Sequence, residues 1–69
     1  MQTGTVVSLR LDKGYFFIRP DDGGGDTFAH CTELDDGLEF DDRLEQRRVK
    51  FDSYKTDRGF RASNIQPAD

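Results

Sequence analysis

"KGYFFIRP", residues 13–20, places three aromatic side chains in a row between a Lys-Gly pair and an Arg-Pro pair. In a β-strand, successive side chains point to opposite faces, so Tyr15 and Phe17 share one face while Phe16 and Ile18 share the other. The chain has 69 residues, and a domain of roughly 60 residues buries only about 60% of its unfolded surface. Both faces of this strand therefore cannot be core. The sequence predicts one buried face and one aromatic face left outside.

Four other segments have the composition of short strands. Turn-forming stretches such as "LDKG", "PDDGGGD" and "KTDRG" separate them, and a long acidic connection with one helical turn precedes the fourth. Short strands at regular spacing with Gly-rich turns are typical of a small closed or nearly closed β-barrel. The predicted strands cover residues 4–9, 15–19, 27–31, 47–54 and 60–65.

Alternation along these strands predicts which side chains form the core. The expected core is small and mostly aliphatic, and Phe16 joins it because it lies on the face of Ile18. The predicted core residues are Val6, Phe16, Ile18, Ala29, Val49 and Ile65. If the second and third strands pair, Tyr15 and Phe17 lie beside Phe28 and His30 on the outer face.

Exposed apolar patches of this size usually mark binding sites. Lys13, Arg19 and Arg58 are expected to flank the four rings. Aromatic platforms with basic flanks suit single-stranded nucleic acid, because every base has a π-face and stacking contributes roughly 1–3 kcal/mol per base.

Composition limits the class of protein. Hydrophobic residues make up 33% of the chain and charged residues 35%, but six Phe and two Tyr favour a folded core over disorder. The single cysteine, Cys31, excludes an internal disulfide framework and favours a reducing compartment. No apolar run approaches the roughly 20 residues that a membrane span needs. We therefore expect a cytoplasmic protein.

The net charge of −4 is unevenly distributed. Residues 33–45 hold seven of the fourteen acidic residues and one basic residue, whereas residues 46–69 hold six basic and three acidic residues. The overall charge argues against a nucleic-acid partner, but one basic face can coexist with an acidic loop.

Four motifs in order resemble the cold-shock domain. "KGYFFI" is similar to the family's K-G-[FY]-G-F-I motif and "DTFAH" to its [DV]-[VI]-F-[VAF]-H motif, while "GTVVSL" resembles the opening strand and "RGFRASNI" the closing strand. The resemblance implies an all-β fold, a five-stranded antiparallel OB-fold β-barrel with its core at 4–65, in one domain spanning 1–69.

The resemblance also implies a function and a set of site residues. Cold-shock domains bind single-stranded RNA or DNA with little sequence preference and act as RNA chaperones or regulators of gene expression, without catalysis. Matching motif positions imply base contacts by Tyr15, Phe17, Phe28 and His30. The expected phosphate contacts are Arg10, Lys13 and Arg58.

Several positions depart from the family pattern. Ser8 lies where the family has a stacking Trp, Cys31 where the second motif continues with Phe, and Phe16 where the first motif has Gly. Gln46 replaces another Gly before the fourth strand. Two missing platforms remove roughly 2–6 kcal/mol of stacking, which corresponds to about 30-fold to 10⁴-fold weaker binding.

Other readings of the same residues are weaker or remain open. The aromatic face is open to cover by the acidic loop or by a second copy of the chain. The competing function is a protein-interaction module on a cold-shock fold, with the aromatic face or the acidic residues 33–45 as its contact surface. "DDGGGD" lacks the spacing of a Ca²⁺ loop, and His30 has no second histidine as a metal-ligand partner. No nucleophile, base and orienting group occur together, so neither catalysis nor a cofactor or metal is expected.

Overall fold

The computed structural model describes residues 1–35 and 37–68. Asp36 of the acidic connection and the terminal Asp69 lie outside the described residues. The described chain contains five strands and two 3₁₀ turns, Cys31–Glu33 and Asp42–Leu44. The strands are β1 (Gln2–Arg10), β2 (Tyr15–Pro20), β3 (Thr27–His30), β4 (Arg48–Thr56) and β5 (Gly59–Pro67).

The strands form a closed barrel in the order β1-β2-β3-β5-β4. Neighbouring strands are antiparallel except at one seam, where β3 pairs with β5 in parallel and Phe28 lies opposite Arg61. A parallel pair needs a long crossover connection, and the acidic segment with its two 3₁₀ turns lies in that connection. The five-stranded barrel predicted from the sequence is confirmed.

The barrel interior is filled by the side chains that alternation assigned to it. Val6, Phe16, Ile18, Ala29, Val49 and Ile65 are all 0% exposed. Phe51 and Ala62 are equally buried, and Leu38 and Leu44 of the acidic segment complete the core. The acidic segment is therefore anchored to the barrel by its apolar residues.

Phe16 fits in the interior although the family pattern has glycine at its position. Its ring lies 6.2 Å from that of Phe40, centroid to centroid, with the two planes at 33°. Phe40 belongs to the acidic segment and packs against the core from outside. The ring of Phe16 in the interior is thus covered by the ring of Phe40.

The third strand ends one residue earlier than predicted. Thr27 and Ala29 are buried while Phe28 and His30 lie half-buried on the outer face, as alternation requires. Cys31, predicted as the last residue of this strand, instead begins a 3₁₀ turn. His30 caps that turn, because its Nδ1 accepts a hydrogen bond from the backbone N–H of Thr32 at 3.3 Å. A side-chain cap competes successfully with continuation of the strand.

A charged cluster ties three strands together on the outside of the barrel. Arg48 donates two hydrogen bonds of 2.6 Å to the two carboxylate oxygens of Asp21, just after β2, and a third of 3.2 Å to Thr5 in β1. Thr3 donates a further bond of 2.7 Å to Asp21. The hydrogen bonds from Arg48 and then Thr3 lower the pKa of Asp21 to about 2.

Gly4 lies where β1 and β2 are too close together to admit a Cβ atom. It lies opposite Pro20 of β2 and opposite Val49 of β4, so β1 is paired on both sides at this residue. A Cβ atom at Gly4 would lie 2.6 Å from the carbonyl oxygen of Arg19 and 2.8 Å from Cγ2 of Ile18. The backbone oxygen cannot move aside without displacing β2.

The first prediction concerns stability at low pH. Folding lowers the pKa of Asp21, so its carboxylate stabilises the folded state above about pH 4, near the pKa of aspartate in an unfolded chain. This stabilisation is lost as the pH falls toward the folded-state pKa of about 2. Asp21→Asn should lower the melting temperature at pH 7, and the difference from the unaltered protein should shrink between about pH 4 and pH 2. Circular dichroism melts across this range measure it. The exposed Asp12→Asn serves as control, and an offset that stays constant down to pH 2 would contradict the prediction.

The second prediction concerns Gly4. Gly4→Ala should destabilise the fold by about 1–3 kcal/mol, because overpacking forces backbone and side chains out of place. Urea denaturation measures the change. Gly25→Ala is the matched control, since a Cβ there meets nothing within 4 Å. Equal stability of the two variants would mean that β1 and β2 are not as close as described.

Candidate functional site

The outer face of β2 and β3 carries a contiguous cluster of aromatic rings, called here the aromatic face (Tyr15, Phe17, Phe28 and His30). Antiparallel pairing places Tyr15 opposite His30 and Phe17 opposite Phe28. All four side chains are half-buried, so each ring packs against its neighbours and keeps part of its surface open to solvent. The pairing predicted for these strands is confirmed, and the four residues lie together.

The three carbocyclic rings hold one another in fixed orientations. The ring centroids of Tyr15 and Phe28 are 5.4 Å apart with planes at 36°, and those of Phe17 and Phe28 are 5.7 Å apart at 79°. Tyr15 and Phe17 meet edge to face at 6.0 Å. Such tilted and T-shaped pairs are the favoured aromatic arrangements. The platform is thus ordered before any ligand arrives.

The orientation of His30 is set by the turn that follows it. A backbone N–H can only donate, so Nδ1 accepts from Thr32 at 3.3 Å. The neutral imidazole therefore carries its proton on Nε2. His30 thus presents both a ring face and one N–H donor at the edge of the aromatic face.

The predicted basic flanks occupy two ends of this surface. At one end Arg10 lies opposite Tyr15, and Lys13 is exposed in the turn between β1 and β2. At the other end Arg58 lines a cleft together with Phe17 and Phe28. No ion pair joins Arg10, Lys13 or Arg58 to another residue within 1–35 and 37–68.

Arg19, also expected to flank the rings, is engaged elsewhere. Its Nε lies 3.3 Å from a carboxylate oxygen of Asp26, in the loop between β2 and β3. Both side chains are exposed to solvent, so the pair is weak. Its positive charge is nevertheless partly neutralised, which leaves Arg19 a lesser part of the basic surface.

A bulge in β1 changes the backbone conformation at Ser8, the position where the family has a stacking Trp. Val6 is buried and Leu9 packs against the core, so the two residues between them, Val7 and Ser8, both lie on the outer side. The register shifts between Val7 and Arg10, and Ser8 has a φ of 52°. Ser8 is exposed as predicted, but the site is not a regular strand position, and a bulky residue at a positive φ is unfavourable.

The other missing platform, Cys31, lies at the edge of the aromatic face, with its sulfur 3.9 Å from Nδ1 of His30. Cys31 donates its backbone N–H to the carbonyl of Gly14 at 3.0 Å. Its half-buried sulfur lies close to Gly14, where a Cβ would meet it at 3.6 Å. Cys31 therefore fills space beside the turn before β2.

Two residues of β5 belong to this surface although sequence reasoning did not select them. The Arg61 guanidinium carbon lies 5.4 Å from the centre of the Phe28 ring, a cation–π contact. Phe60 is 54% exposed and lines the same cleft as Arg58. The sequence signal was their position next to Arg58, but only the parallel β3–β5 seam brings them to Phe28.

The described residues of the acidic segment do not line the cleft at the end of the aromatic face. Among the described residues, the lining comes from β2, β3 and the β4–β5 hairpin. The acidic segment instead forms a separate hollow of about 170 Å³ with Arg43 and Arg47. No described helix is long and apolar enough to cross a membrane.

Known proteins resemble this chain over nearly its whole length. A model of the 'Cold-shock' DNA-binding domain family matches residues 2–68. The major cold shock protein of Micrococcus luteus is 35% identical over 65 residues, covering 94% of this chain and 96% of that protein. Cold shock protein 1 of Lactiplantibacillus plantarum is 41% identical over 68 residues, covering 97% and 98% of the two chains.

A solved structure supports the same assignment. The structure described as drosophila Unr CSD456 superposes with a TM-score of 0.77 at 26% identity. The match covers 99% of this chain and 26% of that one, so the present chain corresponds to about a quarter of the longer protein. The motifs, the barrel topology and the matches agree: this chain belongs to the cold-shock domain family.

Proposed function

We propose that this protein binds single-stranded RNA or DNA on its aromatic face, without catalysis, as an RNA chaperone or regulator of gene expression. The observation that carries the proposal is the ordered cluster of Tyr15, Phe17 and Phe28 on the outer surface of β2 and β3. Bases stack on such rings with little regard to sequence. In this proposal Tyr15, Phe17, Phe28 and His30 contact bases, and Arg10, Lys13 and Arg58 contact phosphates.

The distribution of charge supports the proposal despite the net charge of −4. Among the described residues, several basic side chains are engaged with carboxylates, including Arg19, Arg43 and Arg48. Arg10, Lys13 and Arg58 have no such partner within 1–35 and 37–68 and lie around the rings. A polyanion would therefore meet uncompensated positive charge at the aromatic face.

Binding is expected to be weaker than in a family member with every platform. Ser8 and Cys31 have no ring for a base to stack on. Phe60 adds apolar surface at the opposite end of the face. We further propose that residues 1–69 act as one domain in the cytoplasm, where the single cysteine stays reduced.

The alternative function is a protein-interaction module or homodimer that uses the aromatic face. Size-exclusion chromatography with light scattering separates the two: a monomer that binds oligonucleotides supports the proposal. A stable dimer that binds no oligonucleotide would favour the alternative.

The third prediction concerns the rings. Phe17→Ala and Phe28→Ala should each weaken binding of a short pyrimidine oligonucleotide about 5-fold to 150-fold, because each removes one platform worth roughly 1–3 kcal/mol. Fluorescence anisotropy of a labelled oligonucleotide measures the affinity. Phe17→Tyr and Phe28→Tyr keep a ring and serve as matched controls. Alanine variants that remain folded and bind with unchanged affinity would refute the proposed face.

The fourth prediction concerns salt. For single strands, log K falls with log salt by about 0.7 per neutralised phosphate. With Arg10, Lys13 and Arg58 as the phosphate contacts, we expect a slope of about −2 or shallower. Lys13→Gln should make it shallower by about 0.7, whereas the remote Arg43→Gln should leave it unchanged. A slope near −5 would indicate that the basic region 47–61 is the main site.

A further inference from the structure

The cleft at the β5 end of the aromatic face has the dimensions and walls of a pocket for one base. Its volume is about 290 Å³, at the lower end of the range for small-molecule pockets. Phe17, Phe28 and Phe60 supply its apolar walls, and the lining also contains Thr56, Arg58 and Arg61. Phe60 is 54% exposed, so about half of its surface is open to a stacking ligand.

The charged side chains that line this cleft are both hydrogen-bond donors. The hydroxyl of Thr56 is already used, since it donates to the carbonyl of Gly59 at 2.8 Å and accepts from the backbone N–H of Arg58 at 3.2 Å. No carboxylate contributes to the described lining. The guanidinium groups of Arg58 and Arg61 remain, and they offer hydrogen-bond donors only.

Arg61 is held in the cleft with bonding capacity to spare. Its guanidinium stacks over Phe28 at 5.4 Å. Its Nε is buried and has no hydrogen-bond partner among the described residues. A buried donor without a partner is costly and requires an explanation, such as an absent ligand. An arginine side chain also carries its donors in a planar fork that matches a planar acceptor pair.

We infer that this cleft selects guanine, so that the protein reads one base of the strand it binds. The inference rests on the proposed function, because it assigns a preference to one end of the same site. Guanine presents two acceptors, O6 and N7, that match an arginine fork. Adenine has no such pair, because its amino group lies between N7 and N1. Unpaired cytosine offers O2 and N3 on its Watson–Crick edge and should rank between. Uracil and thymine present a single carbonyl at the corresponding edge and should rank between.

The test is a base scan in a uniform strand. Labelled heptathymidylate is compared with strands carrying one guanine, adenine or cytosine at each position, by fluorescence anisotropy at low salt. We expect one position where guanine binds about 5-fold to 100-fold more tightly than adenine, the discrimination typical of a bidentate arginine contact. At other positions the four bases should differ by less.

Matched variants tie that preference to the cleft. Arg61→Lys keeps the charge but not the fork, so it should lose the guanine preference whatever its affinity for heptathymidylate. Phe60→Ala should reduce affinity for the guanine strand more than for heptathymidylate. Arg58→Lys provides a second removal of the fork if Arg61→Lys fails to fold, and Arg43→Lys, far from the cleft, is the control.

The outcomes separate this inference from the proposed function. Tight binding with no base preference at any position would overturn the inference, leave the function standing and assign the arginines to phosphates. A guanine preference that survives in Arg61→Lys and in Phe60→Ala would overturn it as well. If the protein binds no single strand at all, the proposed function fails and the inference fails with it.

Discussion

Strand β2 lies between β1 and β3, and its side chains must serve both the interior and the exterior of a thin barrel. The interior has room for Phe16 and Ile18, which are fully buried. The same backbone then forces Tyr15 and Phe17 outward, because neighbouring side chains in a strand cannot share a face. The aromatic surface is thus a consequence of filling the core with this particular strand. Pairing with β3 completes it by bringing Phe28 and His30 alongside.

The substitution of Phe16 for the family's glycine shows how the interior and the acidic segment depend on each other. A ring in the barrel leaves less space for its neighbours, and interiors are packed too densely to absorb added volume at no cost. Phe40 lies against Phe16, and Leu38 and Leu44 enter the core beside it. The described part of the acidic segment is therefore attached to the barrel through its apolar side chains.

Alternation of side chains along each strand was enough to predict a large part of the core and the outward position of Tyr15 and Phe17. The six predicted core residues and the shared outer face of Tyr15 and Phe17 follow from side chains one or two residues apart, whereas the OB-fold barrel was implied by the resemblance to the cold-shock domain. Two things escaped this reasoning. The early end of β3 depends on a histidine cap, and the bulge at Ser8 depends on how β1 bends to reach both β2 and β4.

Phe60 and Arg61 escaped for a different reason. Their contact with Phe28 arises from the parallel β3–β5 seam, which joins segments far apart in the chain. No periodicity within β5 indicates which strand will lie beside it. Gln46 is a related case, because it lies where the family pattern has glycine. Its φ of 69° is a backbone conformation that favours glycine, and this chain keeps that conformation with a glutamine.

The parallel seam also couples the closing of the barrel to its ligand. One side of the seam belongs to the β1–β2–β3 meander and the other to the β4–β5 hairpin, and the seam and the β1–β4 pairing close the sheet between these two units. A strand of nucleic acid lying across Phe28 and the hairpin would touch both units at once. Anything that binds only the closed form stabilises it in proportion to its concentration and affinity. Amide hydrogens along β3 and β5 should consequently exchange more slowly with solvent when the ligand is present. The degree of this protection would measure how much the ligand stabilises the closed barrel.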